Sequence, residues 1–573
     1  MATATAVRTT VFGRHETTAY QALVWALMVL LVLGPLAPIV YSSLLSKPFY
    51  LPGAVFTLNA YASLFADPAY WVAVRNSIQF AALVTAIAVP AGTLFAILCH
   101  RTDLPLAKWF ALLLMAPIVI PHLGLIVGWV VLYGEGGYLN QIVSSVLHLP
   151  PWRLSSVGGM ALLGAAVTTP IAYLTCRAAL EGKDTALEDA ARSLGAGPLS
   201  VITRVTIPML RPAILNCGVL IFALGLEVLG IPLLLGAPSN IDMYASYLFK
   251  AWSKGPTPNP PMVSAGSVVL LLVVTVLLLM RAALSGSQSR FVASGPRGGG
   301  TFRPLALGAW RYPFAAATGA FIAVTSIVPL LGLVVMSSVS ALTILVPPWD
   351  LLTLDNWRQI LFDVVYRRAI ANSLVIAVVG AGLTVLLVAV ASLIAHRSRF
   401  PLRASLGPTL VYPRAVPGIV LGLGFFWIFL LVDLPGGAIR NSIWSEMIAL
   451  SVRNSTLAYV VIYPSLVRIN VAFDNAARGA GAGWWMTVRR VLLPMLRPAL
   501  VAAFVLMFIS ILNDYDPVVF LQKPGTEVMG VTLLQFWMRG VVGSVAALAV
   551  VQLALVGIIL ALTARVLRRA LRA

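Results

Sequence analysis

Charged residues are scarce in this sequence: they make up 10% of the 573 residues, against about 25% in an average soluble protein. Acidic residues are the rarest of them, with 19 aspartates and glutamates beside 39 lysines and arginines. Hydrophobic residues, by contrast, make up 60% of the chain. This composition excludes a soluble multidomain enzyme, which needs more polar surface, and predicts a protein that crosses a membrane several times.

Cysteines are few, and nucleotide-binding motifs are absent. The three cysteines, Cys99, Cys176 and Cys217, lie in or beside apolar runs without the spacing of metal ligands, so we expect no metal site. No Gly-x-x-x-x-Gly-Lys-Ser/Thr phosphate loop occurs in the sequence. We therefore expect that the chain is not an enzyme, does not hydrolyse ATP and holds no cofactor of its own.

Apolar runs of about 20 residues, the length that crosses a bilayer, occur throughout the sequence. In the first half they cover 20–43, 76–99, 109–134, 157–176, 213–236 and 262–280. In the second half they cover 313–338, 373–395, 405–433, 446–467, 499–522 and 541–564. The sequence thus predicts an all-α polytopic membrane protein with about 12 transmembrane helices, numbered here as spans 1 to 12.

The basic residues predict the orientation of these spans. If the N-terminus is cytoplasmic, most of the 39 lysines and arginines fall on cytoplasmic segments, and Arg414 falls inside a span. We therefore expect both termini in the cytoplasm, with the first apolar run retained as a helix rather than cleaved as a signal peptide. Because the basic residues are scattered over short loops, we expect no nucleic-acid partner.

The second half of the sequence repeats the first. Asn76-Ser77 recurs as Asn372-Ser373 and His100-Arg101 as His396-Arg397, both 296 residues later; Pro208-Met209-Leu210-Arg211-Pro212 recurs as Pro494-Met495-Leu496-Arg497-Pro498, 286 residues later. Each half holds six spans in the same orientation, an arrangement typical of transporters. We predict two tandem six-helix domains, 1–281 and 313–573, joined by a polar, glycine-rich cytoplasmic linker, 282–312.

The most informative repeat lies in the loop before the fifth span of each half, at 185–212 and 471–498. The first copy contains Glu188, Asp189, Ala190, Ala191, Gly195 and Pro208, and the second contains Asp474, Asn475, Ala476, Ala477, Gly481 and Pro494. Alanine and arginine favour a helix here, and the glycine predicts its end in a left-handed turn. We expect the apolar positions that follow to form a second short helix, which Pro208 or Pro494 closes before the next span.

The two copies also carry acids at the start of the first helix. Glu188 and Asp474 favour a helix N-terminus and can pair with basic groups on a partner. The second copy departs from the first in Asn475 and in Gly479, which we expect inside the helix.

This pattern resembles the EAA loop of binding-protein-dependent ABC importer permeases, and it occurs twice in register. The resemblance implies that the chain fuses both transmembrane domains of an ABC importer in the inner membrane of a bacterium. It also implies that the two loops dock on two copies of a separate cytoplasmic ATPase, which binds ATP and Mg²⁺. A periplasmic binding protein would deliver the substrate.

Within this superfamily, the fused permease resembles the ferric-iron permease group. The resemblance is carried by Leu226-Glu227-Val228-Leu229-Gly230-Ile231-Pro232 and by Pro417-Gly418-Ile419-Val420-Leu421-Gly422. It implies ferric iron as the substrate. Thiamine, polyamines, phosphonates and phosphorylated vitamins, which relatives of similar build carry, stay open, as does a secondary transporter driven by an ion gradient.

Ionisable residues inside spans are functional candidates by default. Glu227 lies in the fifth span, and 286 residues later Asn513 precedes Asp514 and Asp516. We predict that these residues line the substrate path, where the two halves would face each other and a cation would meet favourable charge. Alternatively, the acids cap broken helices or pair with Arg414, which could itself meet an anionic substrate.

Overall fold

The computed structural model describes residues 16–181, 186–253, 259–286, 304–432 and 437–570. Residues 287–303 of the predicted linker and residue 185 of the first candidate coupling loop lie outside this part of the chain. The described residues are almost entirely helical and contain isolated bridges rather than strands, which confirms the predicted all-α class.

Eight of the described helices are long and apolar enough to cross a membrane unbroken, and four further spans are bent helix pairs. The unbroken helices are Pro68–Arg101, Val157–Glu181, Pro198–Leu226, Pro260–Ala283, Gly308–Ser337, Val364–Arg397, Trp484–Asn513 and Val542–Arg565. The bent pairs are Ala19–Leu33 with Leu36–Ser43, Ala107–Val119 with His122–Val146, Arg403–Ala415 with Gly418–Leu431, and Trp444–Arg468 with Ala472–Gly479. In the last pair, Trp444–Arg468 is called span 10 below, and Ala472–Gly479 belongs to the second candidate coupling loop. Up to 12 spans result, and each overlaps one of the predicted apolar runs.

Spans 3 and 9 differ from the prediction because they are sharply broken. Span 3 bends by 101° and span 9 by 107°. Each break lies at a proline, Pro121 or Pro417, and the residue before it is extended, with ψ of 136° at Ile120 and 125° at Val416. A residue that precedes proline is disfavoured in the helical region, and proline itself cannot donate the helical hydrogen bond. The apolar composition runs unchanged across both breaks and does not indicate them.

Spans 5 and 11 are shorter than predicted. We expected them to continue to 236 and 522, but the helices end at Leu226 and Asn513. Further along, each half forms a short helix, Tyr244–Ser253 in the first and Met529–Met538 in the second. In the first half, the helical segment Pro232–Gly236 lies between span 5 and this short helix.

The repeated Asn-Ser pair anchors these short helices. The hydroxyl of Ser77 accepts a hydrogen bond from the Tyr244 N–H at 2.7 Å, and that of Ser373 accepts one from the Met529 N–H at 2.8 Å. Each hydroxyl thus satisfies a backbone donor in the first turn of the short helix, a group that has no partner within the helix. This contact explains why the serine of the pair recurs at equivalent places in the two halves.

The described chain divides into two compact units. One comprises the described residues within 1–57, 364–532 and 554–573, and the other those within 58–363 and 533–553. The first unit therefore joins span 1 to most of the second half, and the second unit joins span 7 to most of the first half. The domain boundaries 1–281 and 313–573 concern the repeat in the sequence, which this division does not test, and they stay a prediction.

Each unit contains one span from the other half of the sequence, span 1 or span 7, which is called the exchanged span. Inside each unit, this span packs backbone to backbone on a glycine. A Cβ at Gly128 would overlap the carbonyl oxygen of Pro329, and a Cβ at Gly424 would overlap that of Pro35. Small residues permit this close approach between transmembrane helices. The two contacts are equivalent in the repeat, so both units hold their exchanged span in the same way.

Candidate coupling loops and polar clusters

The first candidate coupling loop begins with a short helix, Ala186–Ser193, that ends on a glycine. Gly195 has φ of +84°, in the left-handed region that side chains disfavour. Its N–H donates to the carbonyl of Arg192 at 2.8 Å, and the Ala196 N–H donates to that of Ala191 at 3.0 Å. These two bonds form the Schellman motif, which closes a helix and satisfies its last carbonyls.

The second candidate loop repeats this geometry 286 residues later. Its helix is Ala472–Gly479, so the glycine that we expected in the helix interior is the last residue instead. Gly481 has φ of +81°, and its N–H donates to the carbonyl of Arg478 at 2.9 Å. The Ala482 N–H donates to that of Ala477 at 3.0 Å. The two loops therefore share one backbone conformation although their leading acids differ.

We expected the prolines after these turns to close a short helix, but they do not. The first copy continues as one helix, Pro198–Leu226, with Pro208 inside it. One widened turn precedes this proline, because the Ile207 N–H donates to the carbonyl of Ile202, five residues back. Such a turn interrupts the regular hydrogen bonds just where proline, which lacks an N–H, follows. The same widened turn precedes Pro494 in the second copy.

The leading acids of both loops are buried against arginines of the same unit. Glu188 is 2% exposed and Asp474 is 1% exposed. The Nε atom of Arg101 lies 3.6 Å from Oε1 of Glu188, and Nη1 of Arg397 lies 3.2 Å from Oδ2 of Asp474. Buried carboxylates need such a partner, since an unpaired charge in an apolar environment is strongly destabilising. The structure thus differs from the pairing with basic groups on a partner that the sequence suggested.

Both arginines also donate to a backbone carbonyl. Nη2 of Arg101 donates to the carbonyl of Leu180 at 2.8 Å, and Nη2 of Arg397 donates to that of Ile469 at 2.6 Å. In the sequence these arginines are visible only as part of the repeated His-Arg pair. An arginine that ends an apolar run in each half, with an acid at the head of each loop, could have indicated the pairing.

The outer face of each loop carries side chains that the structure leaves exposed. Ala190 and Ala476 are exposed, as is Asp189, whose carboxylate lies 3.7 Å from Arg192, while Ala191 and Ala477 are half-buried. Large apolar side chains are exposed beside them, namely Leu187, Leu194 and Leu199 in the first loop and Phe473, Trp485 and Met486 in the second. We call these six side chains the apolar loop face. The sequence alone does not predict this face, because an apolar residue in a short helix can lie on either its buried or its exposed side.

Two of the predicted path residues meet at an arginine that is not among the residues predicted from the sequence. Oδ2 of Asp514 lies 3.0 Å from Nε of Arg453, and Oδ2 of Asp516 lies 3.8 Å from Nη2 of the same guanidinium. Asn454 also donates to Asp514, at 3.1 Å. Arg453 lies inside span 10 and is buried, so an ionisable residue within that apolar run could have indicated it.

The other predicted path residues lie at the end of a span or beside the break of one. Glu227 follows the last residue of span 5 and is half-buried, whereas Asn513 ends span 11 and is buried. Arg414 is exposed in the short turn Tyr412–Ala415 that precedes the break of span 9. Glu227 and Asn513 belong to different compact units, so the expectation that they face each other stays a prediction.

In the part of the chain that the structure describes, no three His, Cys, Asp or Glu side chains lie together as metal ligands would. The three cysteines are free thiols, with Cys176 and Cys217 buried and Cys99 half-buried.

Comparison with known proteins gives a family match in both halves. The profile described as "Binding-protein-dependent transport system inner membrane component" matches residues 88–290 and again 387–573. Each match includes one candidate coupling loop.

Two relatives illustrate the range of similar proteins. A ferric transport system permease protein of Actinobacillus pleuropneumoniae is 23% identical over 467 residues, which are 79% of this chain and 65% of that relative. This chain therefore spans about two thirds of the relative's length. A molybdenum transport system permease protein of Escherichia coli is 32% identical over 165 residues, which are 28% of this chain and 69% of the relative.

Among solved structures, a chain from the crystal structure of a bacterial alginate ABC transporter, in complex with an alginate pentasaccharide-bound periplasmic protein, matches with a TM-score of 0.37 and 16% sequence identity. The match covers 45% of this chain and 94% of that one.

Proposed function

The chain belongs to the family of binding-protein-dependent transport system inner membrane components, and from this membership we propose that it imports ferric iron with the help of a separate ATPase. It is a multi-pass inner membrane permease of an ABC importer, and it carries the family's domain twice. One chain thus supplies both halves of the membrane-spanning part.

The two candidate coupling loops are the proposed docking sites for two copies of a cytoplasmic ABC ATPase. The observation that carries this proposal is the duplicated loop itself: a short helix and a Schellman turn recur 286 residues apart with the same hydrogen bonds. Beside each turn, the exposed side chains of the apolar loop face offer apolar area to a partner. ATP and Mg²⁺ belong to that partner, since this chain has no phosphate loop.

The proposed orientation places both termini and both coupling loops in the cytoplasm. The positive-inside rule supports it, because most of the 39 basic residues then lie on cytoplasmic segments. A periplasmic substrate-binding protein would dock on the opposite side of the membrane. This partner follows from the family description, whose members work in binding-protein-dependent systems.

Ferric iron is the proposed substrate. The ferric transport relative aligns over 79% of this chain, and hence over both halves, whereas the molybdenum transport relative aligns over 28%. Asp514 and Asp516 add acidic groups that suit a cation, although Arg453 neutralises part of their charge. Thiamine, polyamines, phosphonates and phosphorylated vitamins stay as alternative substrates.

The test is ATP hydrolysis by the chain reconstituted in proteoliposomes with the ATPase that co-purifies with it. Binding protein is added empty or loaded with ferric iron, molybdate, thiamine, a polyamine or a phosphonate, and both ATPase rate and uptake are measured. We expect stimulation and uptake with the ferric-loaded binding protein only.

Two results would overturn parts of this proposal separately. Stimulation by a different loaded binding protein would leave the importer intact and replace the substrate. Uptake that follows an imposed ion gradient, with no ATPase bound to the chain, would replace the importer by a secondary transporter.

A further inference from the structure

Each half of the chain buries one arginine at the point where several helices end. Arg101 is the last residue of Pro68–Arg101, and Arg397 is the last residue of Val364–Arg397. Their side chains are 7% and 4% exposed. Neither has a catalytic or nucleotide-binding neighbour in the described contacts, so their burial calls for another explanation.

In the first half, Arg101 joins three elements. It pairs at 3.6 Å with Glu188 of the short helix Ala186–Ser193, which is called the coupling helix here, as is Ala472–Gly479 in the second half. It also donates to the carbonyl of Leu180, near the end of span 4, at 2.8 Å. The hydroxyl of Thr206, in span 5, donates to Oε1 of the same glutamate at 2.9 Å. The carboxylate of Glu188 therefore ties the coupling helix to spans 2 and 5, and Arg101 connects the same junction to span 4.

The second half builds the same junction from different residues. Arg397 pairs with Asp474 at 3.2 Å and donates to the carbonyl of Ile469, just after span 10, at 2.6 Å. The residue equivalent to Thr206 is Leu492, which is buried and has no hydroxyl. The arginine, the acid and the span-end carbonyl are thus common to both halves, while the tie to the following span is found in the first half.

The chemistry of arginine suits this position. Its planar guanidinium carries five N–H donors in a fixed fork, so one side chain can hold a carboxylate and a carbonyl at the same time. Carbonyls at the end of a helix lack an intrahelical donor and accept such a bond. Because the ion pair is buried, separating its partners is strongly unfavourable. A shift of the coupling helix would therefore either separate this ion pair or displace the ends of two spans with it.

We propose that Arg101 and Arg397 are positioning residues that transmit the displacement of each coupling helix to the membrane spans. In the first half the motion passes to spans 2, 4 and 5, and in the second to spans 8 and 10. This inference rests on the proposed function, since it assumes that an ATPase moves the coupling helices. It adds to that function the internal route by which the motion reaches the bundle.

The experiment replaces each ion pair by neutral groups of similar shape. The variants are Arg101→Gln with Glu188→Gln, and Arg397→Gln with Asp474→Asn, so that no buried charge is left alone. The matched control is Arg177→Gln with Glu181→Gln, an ion pair at 2.7 Å that is more exposed and lies at the same end of span 4. Arg101→Lys with Glu188 unchanged tests rescue, because lysine keeps the charge but not the fork.

Three quantities are measured on the reconstituted complex: the amount of ATPase bound, the thermal unfolding midpoint and the substrate transported per ATP hydrolysed. We expect the double variants to bind ATPase and to unfold near the unaltered midpoint, but to lose about 10-fold in transport per ATP, a typical size for coupling between sites. The control should keep the unaltered ratio, and Arg101→Lys should recover part of it.

An unchanged ratio in both double variants would overturn the inference. A loss of transport that only follows the loss of ATPase binding would assign the arginines to structure alone and would also overturn the inference. The same holds if the double variants have a lowered unfolding midpoint while Arg101→Lys has both the midpoint and the transport ratio of the unaltered chain. If the unaltered chain binds no ATPase, the proposed function fails, and this outcome is visible before any variant is compared.

Discussion

At the scale of single residues, Arg453 is a charged side chain that is buried inside an apolar span. Its guanidinium is buried in span 10, where it faces the carboxylates of Asp514 and Asp516 and donates to the carbonyl of Val416 at 3.1 Å. These contacts hold the break of span 9 and the end of span 11 against span 10. The ion pairs of Arg453 therefore stabilise the packing of these spans, in addition to the proposed role of the two carboxylates in attracting a substrate.

Replacement of this arginine should destabilise the protein. We expect Arg453→Met to lower the free energy of unfolding by about 3–5 kcal/mol, because it leaves Asp514, whose side chain is 12% exposed, without its charged partner. Thermal unfolding of the purified protein in detergent measures the change. The matched control is Arg358→Met, since Arg358 forms an exposed pair with Asp355 at 3.4 Å; exposed pairs contribute about 0–1 kcal/mol. Equal unfolding midpoints for the two variants would contradict the structural role of Arg453.

The Schellman turns offer a second test on single residues. We expect Gly481→Ala to destabilise the second loop by about 1–2 kcal/mol, because the left-handed conformation at φ +81° disfavours a side chain. Faster amide hydrogen exchange in Ala472–Gly479 would report the loss. Gly479→Ala is the control, because a Cβ there meets no atom within 4 Å and φ is not positive. Comparable exchange in the two variants would mean that the turn does not hold the helix.

At the scale of elements, the apolar loop face is expected to bind the ATPase rather than to stabilise the fold. Phe473→Ser and Trp485→Ser should each weaken ATPase binding by about 10-fold or more, since burying a large apolar side chain contributes about 1.5–3 kcal/mol. Their unfolding midpoints should not fall, because both side chains are exposed in the chain alone. The amount of ATPase retained on the immobilised permease measures binding.

Leu345→Ser provides the control for this prediction. Leu345 is 87% exposed and lies between spans 7 and 8, away from both loops in the sequence. It should leave ATPase binding unchanged. Undiminished binding in Phe473→Ser and Trp485→Ser, with a loss in Leu345→Ser, would remove the apolar loop face as the docking surface.

The elements also show what sequence can reveal. Apolar runs located all the spans, because hydrocarbon thickness imposes the same length on each. The breaks of spans 3 and 9 were missed, since Pro121 and Pro417 break a helix whereas Pro90 and Pro170 lie inside unbroken ones. Which proline breaks a helix depends on whether neighbouring groups satisfy the freed backbone, and the linear sequence does not contain that information.

For the candidate site, the sequence predicted the two loops but not the arginines of this chain that pair with their leading acids. Glycine in a left-handed turn is a local requirement, so Gly195 and Gly481 could be predicted from position alone. The pairing of Glu188 with Arg101 spans 87 residues and depends on how spans 2 and 4 pack against the loop. Long-range pairs of this kind have no periodic pattern, which explains why the sequence suggested a pairing with a partner instead.

At the scale of the whole molecule, duplication explains features that neither half explains alone. The two loops keep one backbone conformation although Leu187 and Leu199 are replaced by Phe473 and Trp485. The repeated geometry fits the proposed docking of the same type of ATPase at both loops, while the exposed apolar side chains are leucines in the first loop and two aromatic side chains and a methionine in the second. The two proposed docking sites are therefore alike in backbone conformation and different in the side chains that they expose.

The orientation of the chain in the membrane determines on which side both loops lie. If the termini are cytoplasmic, Leu194 of the first loop and Ala480 of the second lie on the cytoplasmic side, and Leu345 lies on the other. All three side chains are exposed, so a cysteine at each position would be accessible to a thiol reagent. The background is a variant without Cys99, Cys176 and Cys217, the three cysteines of the chain.

We expect a membrane-impermeant maleimide to label Leu345→Cys in intact spheroplasts, and to label Leu194→Cys and Ala480→Cys only after permeabilisation. The reason is that an even number of spans separates the two loops, which must then share one side of the membrane, while Leu345 follows a single further crossing after the predicted linker. Labelling of one loop from each side would mean an odd number of crossings between them, so that a single ATPase dimer could not engage both. Labelling of both loops in intact spheroplasts would keep the parallel repeat but invert the chain, and ATP-driven coupling from the cytoplasm would then be impossible.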